Sequence, residues 1–182
     1  MTSKLKTDVL ETVSGSGTIA LTNQLSGMTS ASVPQLTTAH MPSGSVIQTV
    51  TSQLNVSHNN STSTTYVPTG VTLSITPTST SSKILVIMHV GMGISYTNAA
   101  LQTSIARGST LIGGSTYANH NYTANSSTNI GLYHSYTLMH TDSPSTTNST
   151  AYNLYFKSST GNVVYATHSG SSVNITLQEI KG

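Results

Sequence analysis

The sequence predicts an all-β protein, an antiparallel β-sandwich of the jelly-roll kind that carries an extended N-terminal β-arm. Three observations point to this class. About a third of the residues are Ser or Thr, which together with Val, Ile and Tyr suit a pleated sheet better than a helix. Runs of alternating apolar and polar residues recur along the chain, with clusters of turn residues between them. No stretch of useful length repeats its apolar residues at helical spacing, so almost no α-helix is expected.

Charged side chains are scarce. They make up 5% of the 182 residues, against about 25% in ordinary domains, and none occurs from Thr12 to Ser82. So long an uncharged stretch argues against binding to nucleic acid, which needs Lys and Arg to displace counterions from phosphates. An apolar fraction of 35% and a net charge of +2 argue against intrinsic disorder. We therefore expect a folded chain that does not bind nucleic acid.

The chain has no Cys, which excludes disulfides, thiolate metal sites and a thiol nucleophile. The first residues, MTSKLKTDVLET, lack an apolar core of signal-peptide length. No stretch approaches the apolar length of a membrane span. We expect a protein that is made in the cytoplasm and is not inserted into a membrane.

The first part of the chain, residues 1–40, differs from the rest. Its charges all lie within the first eleven residues, and its apolar residues are too sparse for an independent core. Two short strands are expected, Lys6 to Val13 and Thr18 to Leu21, on either side of a Gly-Ser-Gly turn. Because a hairpin alone is marginal in water, we interpret this part as an anchoring arm that becomes ordered against a neighbouring subunit. A flexible tail is the alternative. The apolar residues of the candidate anchor are Leu5, Val9, Leu10, Ile19 and Leu21.

Residues 41–182 are expected to form the sandwich. Gly70 to Pro77 alternates apolar and hydroxyl side chains, as a half-buried strand does. Lys83 to Ile94, KILVIMHVGMGI, is almost continuously apolar, which predicts a central strand buried on both faces. Within that strand, His89 is expected to be a hydrogen-bonded core histidine. The remaining expected strands are Gly44 to Val56, Leu101 to Arg107, Leu111 to Ser115, Ile130 to Thr141, Ala151 to Lys157, Val163 to Thr167 and Val173 to Ile180.

Several blocks of the sequence carry a family resemblance. They are Met41 to Val50, Thr64 to Met88, Ile105 to Gly114, the terminal ITLQEIKG, and the opening SKLKTDVLET with the later GTIAL. Together they resemble a module of virion structural proteins, fibre-like or decorating, of tailed phages of the marine and cyanobacterial type. The resemblance implies a homotrimer on the virion surface, synthesised in the host cytoplasm, whose partners are other capsid or tail proteins and, if it contacts the host, a surface glycan.

The sequence offers little material for catalysis or metal binding. It contains no G-x-S-x-G elbow and no G-x-x-x-x-G-K-[ST] phosphate loop. Only four acidic residues exist, whereas a glycosidase needs two carboxyl groups in one cleft. His134 and His140 would lie about 20 Å apart on one strand, too far to share a metal ion. Three copies of His89 or of His40 about a trimer axis are the metal-binding arrangement that stays open. We expect no enzymatic activity, no metal and no cofactor.

One long polar segment, residues 116–129, reads TYANHNYTANSSTN. Its composition is similar to that of antibody contact loops, where Tyr provides area and Asn and Ser provide adaptable hydrogen bonds. The residues that would contact a receptor or a partner are Tyr117, His120, Asn121 and Tyr122. An ordinary solvated loop or an inter-subunit contact is the alternative.

Three functions remain open at this stage. The first is a trimeric fibre-like appendage or tip that contributes to host adsorption, and the second is a trimeric capsid decoration, or cement, protein that stabilises the head. A free-standing carbohydrate-binding module is the third. The chain is short and has no shaft repeat, which argues against a long tail fibre. Copy number per particle separates the first two, because a cement protein is present in far more copies than an appendage.

Overall fold

The computed structural model describes residues 37–55, 59–94, 99–113, 132–167 and 172–182. Within these ranges the chain forms ten β-strands and a 3₁₀ turn at Thr38–His40, with no α-helix. None of these segments is a helix with the length and apolar character needed to cross a membrane. The strands are β1 (Val46–Asn55), β2 (Asn59–Ser61), β3 (Val67–Ile75), β4 (Lys83–Ile94), β5 (Leu101–Arg107), β6 (Thr110–Gly113), β7 (Leu132–Asp142), β8 (Thr150–Ser158), β9 (Val164–Thr167) and β10 (Ser172–Ile180).

The strands form two antiparallel sheets. The first sheet has the order β1, β10, β4, β7, and the short strands β9 and β2 continue from one end of β4. The second sheet has the order β3, β8, β5, β6. Five pairs are nested along the chain, β1 with β10, β2 with β9, β3 with β8, β4 with β7 and β5 with β6. The chain therefore forms one long hairpin with its tip at the β5–β6 turn, and this hairpin is rolled into two sheets. This arrangement of strands is that of a jelly roll. The predicted all-β sandwich of antiparallel sheets is confirmed.

The core lies between the two sheets and is built by alternation. In β8 every second residue from Thr150 to Ser158 is buried, so Tyr152 and Phe156 point inward. The same alternation buries Val173 and Leu177 of β10 from the opposite sheet. Since side chains of successive residues in a strand point to opposite faces, this pattern buries the inward face of each sheet.

The predicted central strand is confirmed, with one correction. β4 has the predicted bounds and hydrogen-bonded neighbours on both edges, β10 and β7. Its inward residues Ile84, Val86 and Val90 are fully buried. Burial on both faces, however, extends only over the last five residues, from Val90 to Ile94. The prediction that His89 is a core histidine is wrong, because its position is an outward one and its ring is exposed. The strand that is buried on both faces for most of its length is β5.

The other strand bounds differ from prediction by a few residues at most, with one addition. The strand β2 was not expected, because its sequence, Asn-Asn-Ser, contains no apolar residue. It forms through pairing with β9. The unit that contains both sheets extends from Thr38 to Gly182. The predicted arm strands and the candidate anchor residues Leu5, Val9, Leu10, Ile19 and Leu21 lie outside the described residues.

Candidate functional site

The strand register gives the sandwich two ends, separated by the length of β4. Val46, the first residue of β1, lies level with Lys83, the first residue of β4, because both pair with the last residue of β10. Leu132, where the chain rejoins the first sheet after residues 114–131, pairs with Ile94 at the other end of β4. The two ends are about 35 Å apart, since a strand rises about 3.3 Å per residue. We call them the arm end and the loop end.

At the arm end, Lys181 holds the segment through which the chain enters the sandwich. Its Nζ donates to the carbonyl oxygens of Thr38 at 2.9 Å, Ala39 at 3.1 Å and Met41 at 2.5 Å. These three acceptors satisfy the three donors of an ammonium group. The backbone nitrogen of Gly44 also donates to the Lys181 carbonyl at 2.8 Å. The point at which residues 1–37 join the sandwich is therefore fixed next to the last residues of β10.

A second charged group at this end joins the two sheets. The Arg107 guanidinium on β5 donates from Nη1 to both carboxylate oxygens of Asp142 on β7, at 3.2 and 3.0 Å. The Tyr152 hydroxyl on β8 donates to Asp142 Oδ2 at 2.8 Å. Burial raises the pKa of Tyr152, and the hydrogen bond to the Asp142 carboxylate raises it further. These three side chains thus connect β5 and β8 of the second sheet with β7 of the first.

Glu179 is fully buried and is held by uncharged donors. The backbone nitrogen and the hydroxyl of Thr78 donate to Glu179 Oε1 at 2.6 and 2.8 Å. With its amide nitrogen turned toward the carboxylate, Gln48 donates to Oε2 at 3.1 Å. A carboxylate that accepts several hydrogen bonds can stay buried without a cation beside it.

The two carboxylates lie on opposite sides of one buried residue. Asp142 and Glu179 both pair with Ile84, on its two opposite edges, so the buried Ile84 side chain stands between them. Each accepts hydrogen bonds from donors fixed in the fold. Among the described residues, no group of three or more His, Asp or Glu side chains is close enough to hold a metal ion. In the described residues, these carboxylates connect strands of the sandwich.

At the loop end, two tyrosines meet on the outward face of the first sheet. Gly93 pairs with Tyr133 of β7 on one edge and with Tyr165 of β9 on the other. The three residues therefore form one row and point to the same face. Because Gly93 has no side chain, the two rings approach over it, with their centroids 6.1 Å apart and an angle of 49° between their planes. Tyr133 is 48% exposed. We call Tyr133 and Tyr165 the tyrosine pair.

The face around the tyrosine pair is uncharged. On β4, β7 and β10, the described outward positions carry no Asp, Glu, Lys or Arg except Lys83 at the arm end. On β7 and β10 these positions are mainly Ser, Thr, Asn and Gln, with Met139, 64% exposed, midway along β7. His89 lies on this face, with Nδ1 3.0 Å from Thr137 Oγ1. This surface offers hydroxyls, amides and apolar groups to a partner.

The structure places the sequence-predicted residues as follows. Tyr117, His120, Asn121 and Tyr122 lie outside the described residues. His134 and His140 both lie on β7, six residues apart along the strand, so their predicted separation of about 20 Å follows from the register. The tyrosine pair was not predicted individually. The nine Tyr of the sequence indicate ring packing at a sheet rim, but not which two rings meet.

Comparisons with known proteins show only weak structural similarity. No protein-family model matches the chain, and no curated protein matches it. The sandwich is similar to a chain in the solved structure of infectious bursal disease virus, Gx strain, with 12% sequence identity and a TM-score of 0.32. The alignment covers 75% of this chain and 42% of the viral one, so this chain spans less than half of that protein's length. At this identity and score neither fold nor function is transferred from it.

Proposed function

We propose that this chain is a non-enzymatic structural protein of a tailed-phage particle, a trimeric fibre-like surface appendage or tip that contributes to host adsorption. The sequence blocks that resemble phage virion modules, among them Met41 to Val50 and Thr64 to Met88, support this proposal. The jelly-roll fold agrees with it, since this architecture is frequent among viral surface and capsid proteins.

The observation that carries the proposal is the separation of the two ends of the sandwich. Lys181 fixes the entry of residues 1–37 at the arm end. Leu132, at which residues 114–131 rejoin the first sheet, lies at the loop end. An appendage needs such an arrangement, because it must attach to the particle by one end and expose a contact surface at the other.

The use of charge inside the sandwich supports a structural role rather than an enzymatic one. Six charged residues lie between Thr38 and Gly182. Arg107 pairs with Asp142, Glu179 is buried, and Lys181 binds backbone carbonyls. The Lys157 ammonium lies 4.9 Å from the centre of the Tyr66 ring. Little charge is left for an electrostatic contact with nucleic acid or for acid–base chemistry.

The test is the abundance of the protein in purified particles of the virus that encodes it. Quantitative mass spectrometry against the major capsid protein should find a few dozen copies per particle at most. A copy number on the order of hundreds would instead assign the chain to the capsid surface as a cement trimer. Absence of the protein from purified particles would contradict both virion roles and leave the free carbohydrate-binding module.

A further inference from the structure

We propose that the tyrosine pair is a binding site for a neutral saccharide, with the exposed ring of Tyr133 stacking on the apolar face of a pyranose. This inference deepens the proposed role in host adsorption, on which it rests for the source of the sugar. It assigns the contact to described sheet residues at the loop end.

The geometry presents an aromatic surface that is already held in place. Tyr133 and Tyr165 lie on strands that flank the same residue of β4, so the sheet fixes the backbone of both. Their mutual contact, at 6.1 Å between centroids, restricts the rings further. Tyr is well suited to such a site because it provides a large rigid area at low cost in conformational entropy. The C–H groups of a pyranose carry partial positive charge, which the negative face of an aromatic ring attracts.

The tyrosine pair also has polar neighbours of the kind that sugar hydroxyls need. Asn60 pairs with Tyr165, so the row across the sheet continues from Tyr133 through Gly93 and Tyr165 to an exposed amide. Ser135 is exposed two residues along β7 from Tyr133, on the same face. An amide offers donors and an acceptor, and a hydroxyl offers both. Ring, amide and hydroxyl together can bind the apolar face and the edge of one sugar ring.

The position of Gly93 distinguishes a ligand platform from an ordinary stabilising pair. A cross-strand aromatic pair stabilises a sheet by contact with side chains directly opposite, and glycine in a strand interior weakens the strand. Here the glycine occupies the central strand beneath the rings and is itself buried. The rings therefore meet above the strand, with Tyr133 48% exposed.

The charge of the surroundings defines the class of sugar. Among the described outward positions of β4, β7 and β10, one residue is charged, Lys83. It lies about 33 Å along β4 from Gly93. No fixed charge near the tyrosine pair on these strands would compensate a uronate or a sialate. Binding is therefore expected to favour neutral sugars and to be insensitive to salt.

The experiment measures binding of the full-length protein to two immobilised series, neutral oligosaccharides of glucose, galactose and mannose, and acidic ones that contain uronate or sialate. The wild-type protein should bind at least one neutral probe, equally at low and high salt. Tyr133→Ala should weaken that binding about tenfold, as expected for the loss of one stacking contact. Tyr133→Phe keeps the ring and should bind like the wild type, and so should the matched control Met139→Ala on the same strand and face.

Several results would overturn the inference. They are no binding to any neutral probe, unchanged binding by Tyr133→Ala, or preferential salt-sensitive binding to the acidic series. A lower oligomeric mass of Tyr133→Ala in light scattering would assign the tyrosine pair to a subunit interface instead. Incorporation separates this inference from the proposed function: Tyr133→Ala should enter particles in the wild-type amount, whereas absence of the wild-type protein from particles would contradict the virion role itself.

Discussion

The Tyr152 hydroxyl donates a hydrogen bond of 2.8 Å to Asp142 Oδ2, from a strand of the second sheet to a strand of the first. Tyr152 is fully buried, and its pKa is raised by burial, by this hydrogen bond and by the Asp142 charge. A second inward-facing tyrosine, Tyr136, also has a raised pKa, again because of burial, although its hydrogen bond with Thr103 partly lowers it. Both phenols therefore stay protonated in the folded protein beyond the pH at which they ionise in the unfolded chain.

The first prediction is a loss of stability at alkaline pH. The pKa of each tyrosine is higher in the folded state than its ordinary value of 10.0. The stabilisation that these two phenols give the folded state is fully present below pH 10. It is lost as the pH rises above 10, because the unfolded chain then releases the phenol protons while the folded chain keeps them. Each should lower the free energy of unfolding by about 1.4 kcal/mol per pH unit above 10. Urea unfolding at pH 8 to 11 measures this dependence.

The variant for this test is Tyr152→Phe, compared with the wild type. Removal of the buried phenol should reduce the slope of stability against pH above 10 by the contribution of one tyrosine. Equal slopes for the wild type and Tyr152→Phe would contradict the burial of Tyr152.

The second prediction concerns the centre of the core. Val86 is fully buried between β10 and β7, so Val86→Asp would place an unpaired carboxylate there. The expected loss is about 4 kcal/mol or more, enough to unfold a marginally stable domain. Thr49→Asp, at an exposed outward position of β1, is the control and should change stability by about 0.5 kcal/mol at most. Thermal unfolding monitored by circular dichroism compares them, and a folded Val86→Asp with an unchanged melting temperature would contradict the placement of β4.

The third prediction is that Lys181 holds the entry segment in place. Lys181→Met removes three hydrogen bonds to backbone carbonyls and should cost about 1 to 2 kcal/mol. Amide hydrogen exchange should become faster at Met41, which donates to the Thr38 carbonyl, and at Gly44, which donates to the Lys181 carbonyl. Lys83→Met is the control, because Lys83 is an exposed lysine at the same end. Unchanged exchange in Lys181→Met would show that the backbone hydrogen bonds are sufficient.

The fourth prediction is a trimer in solution. The sequence blocks that resemble phage virion modules imply a homotrimer, and residues 1–40 hold too few apolar residues to form a core without a neighbouring subunit. Light scattering of the purified protein should give three times the mass of one chain. A monodisperse monomer at micromolar concentration would contradict the prediction, and a dimer would change the symmetry.

The sequence predicts strands well where alternation or a continuous apolar run is strong. The bounds of β4 and β5 agree with prediction. Apolar residues fill β4, and turn residues mark the ends of both strands. His89 shows the limit of this reasoning. A histidine inside an apolar run is expected in the core, yet the first half of β4 has one exposed face, and the period of two places His89 on it.

Contacts between distant strands are the part that the sequence does not predict. Tyr133 and Tyr165 meet because both pair with Gly93, and that register depends on how the hairpin rolls. Arg107 and Asp142 are 35 residues apart, and nothing local indicates that their strands meet at one end of the sandwich. Residue type indicates which side chains can interact, whereas the fold decides which of them do.

The most direct test of the account is to delete residues 1–37 and measure incorporation into virions. The cut lies before Thr38, whose carbonyl binds Lys181, so the sandwich should keep its melting temperature. Particles are assembled in cells that make only the truncated protein, purified, and analysed by electrophoresis with the full-length protein as control. We predict a folded sandwich that is absent from the particles. Normal incorporation would contradict anchoring by the arm, place the docking surface on the sandwich itself, and favour a capsid decoration over a fibre.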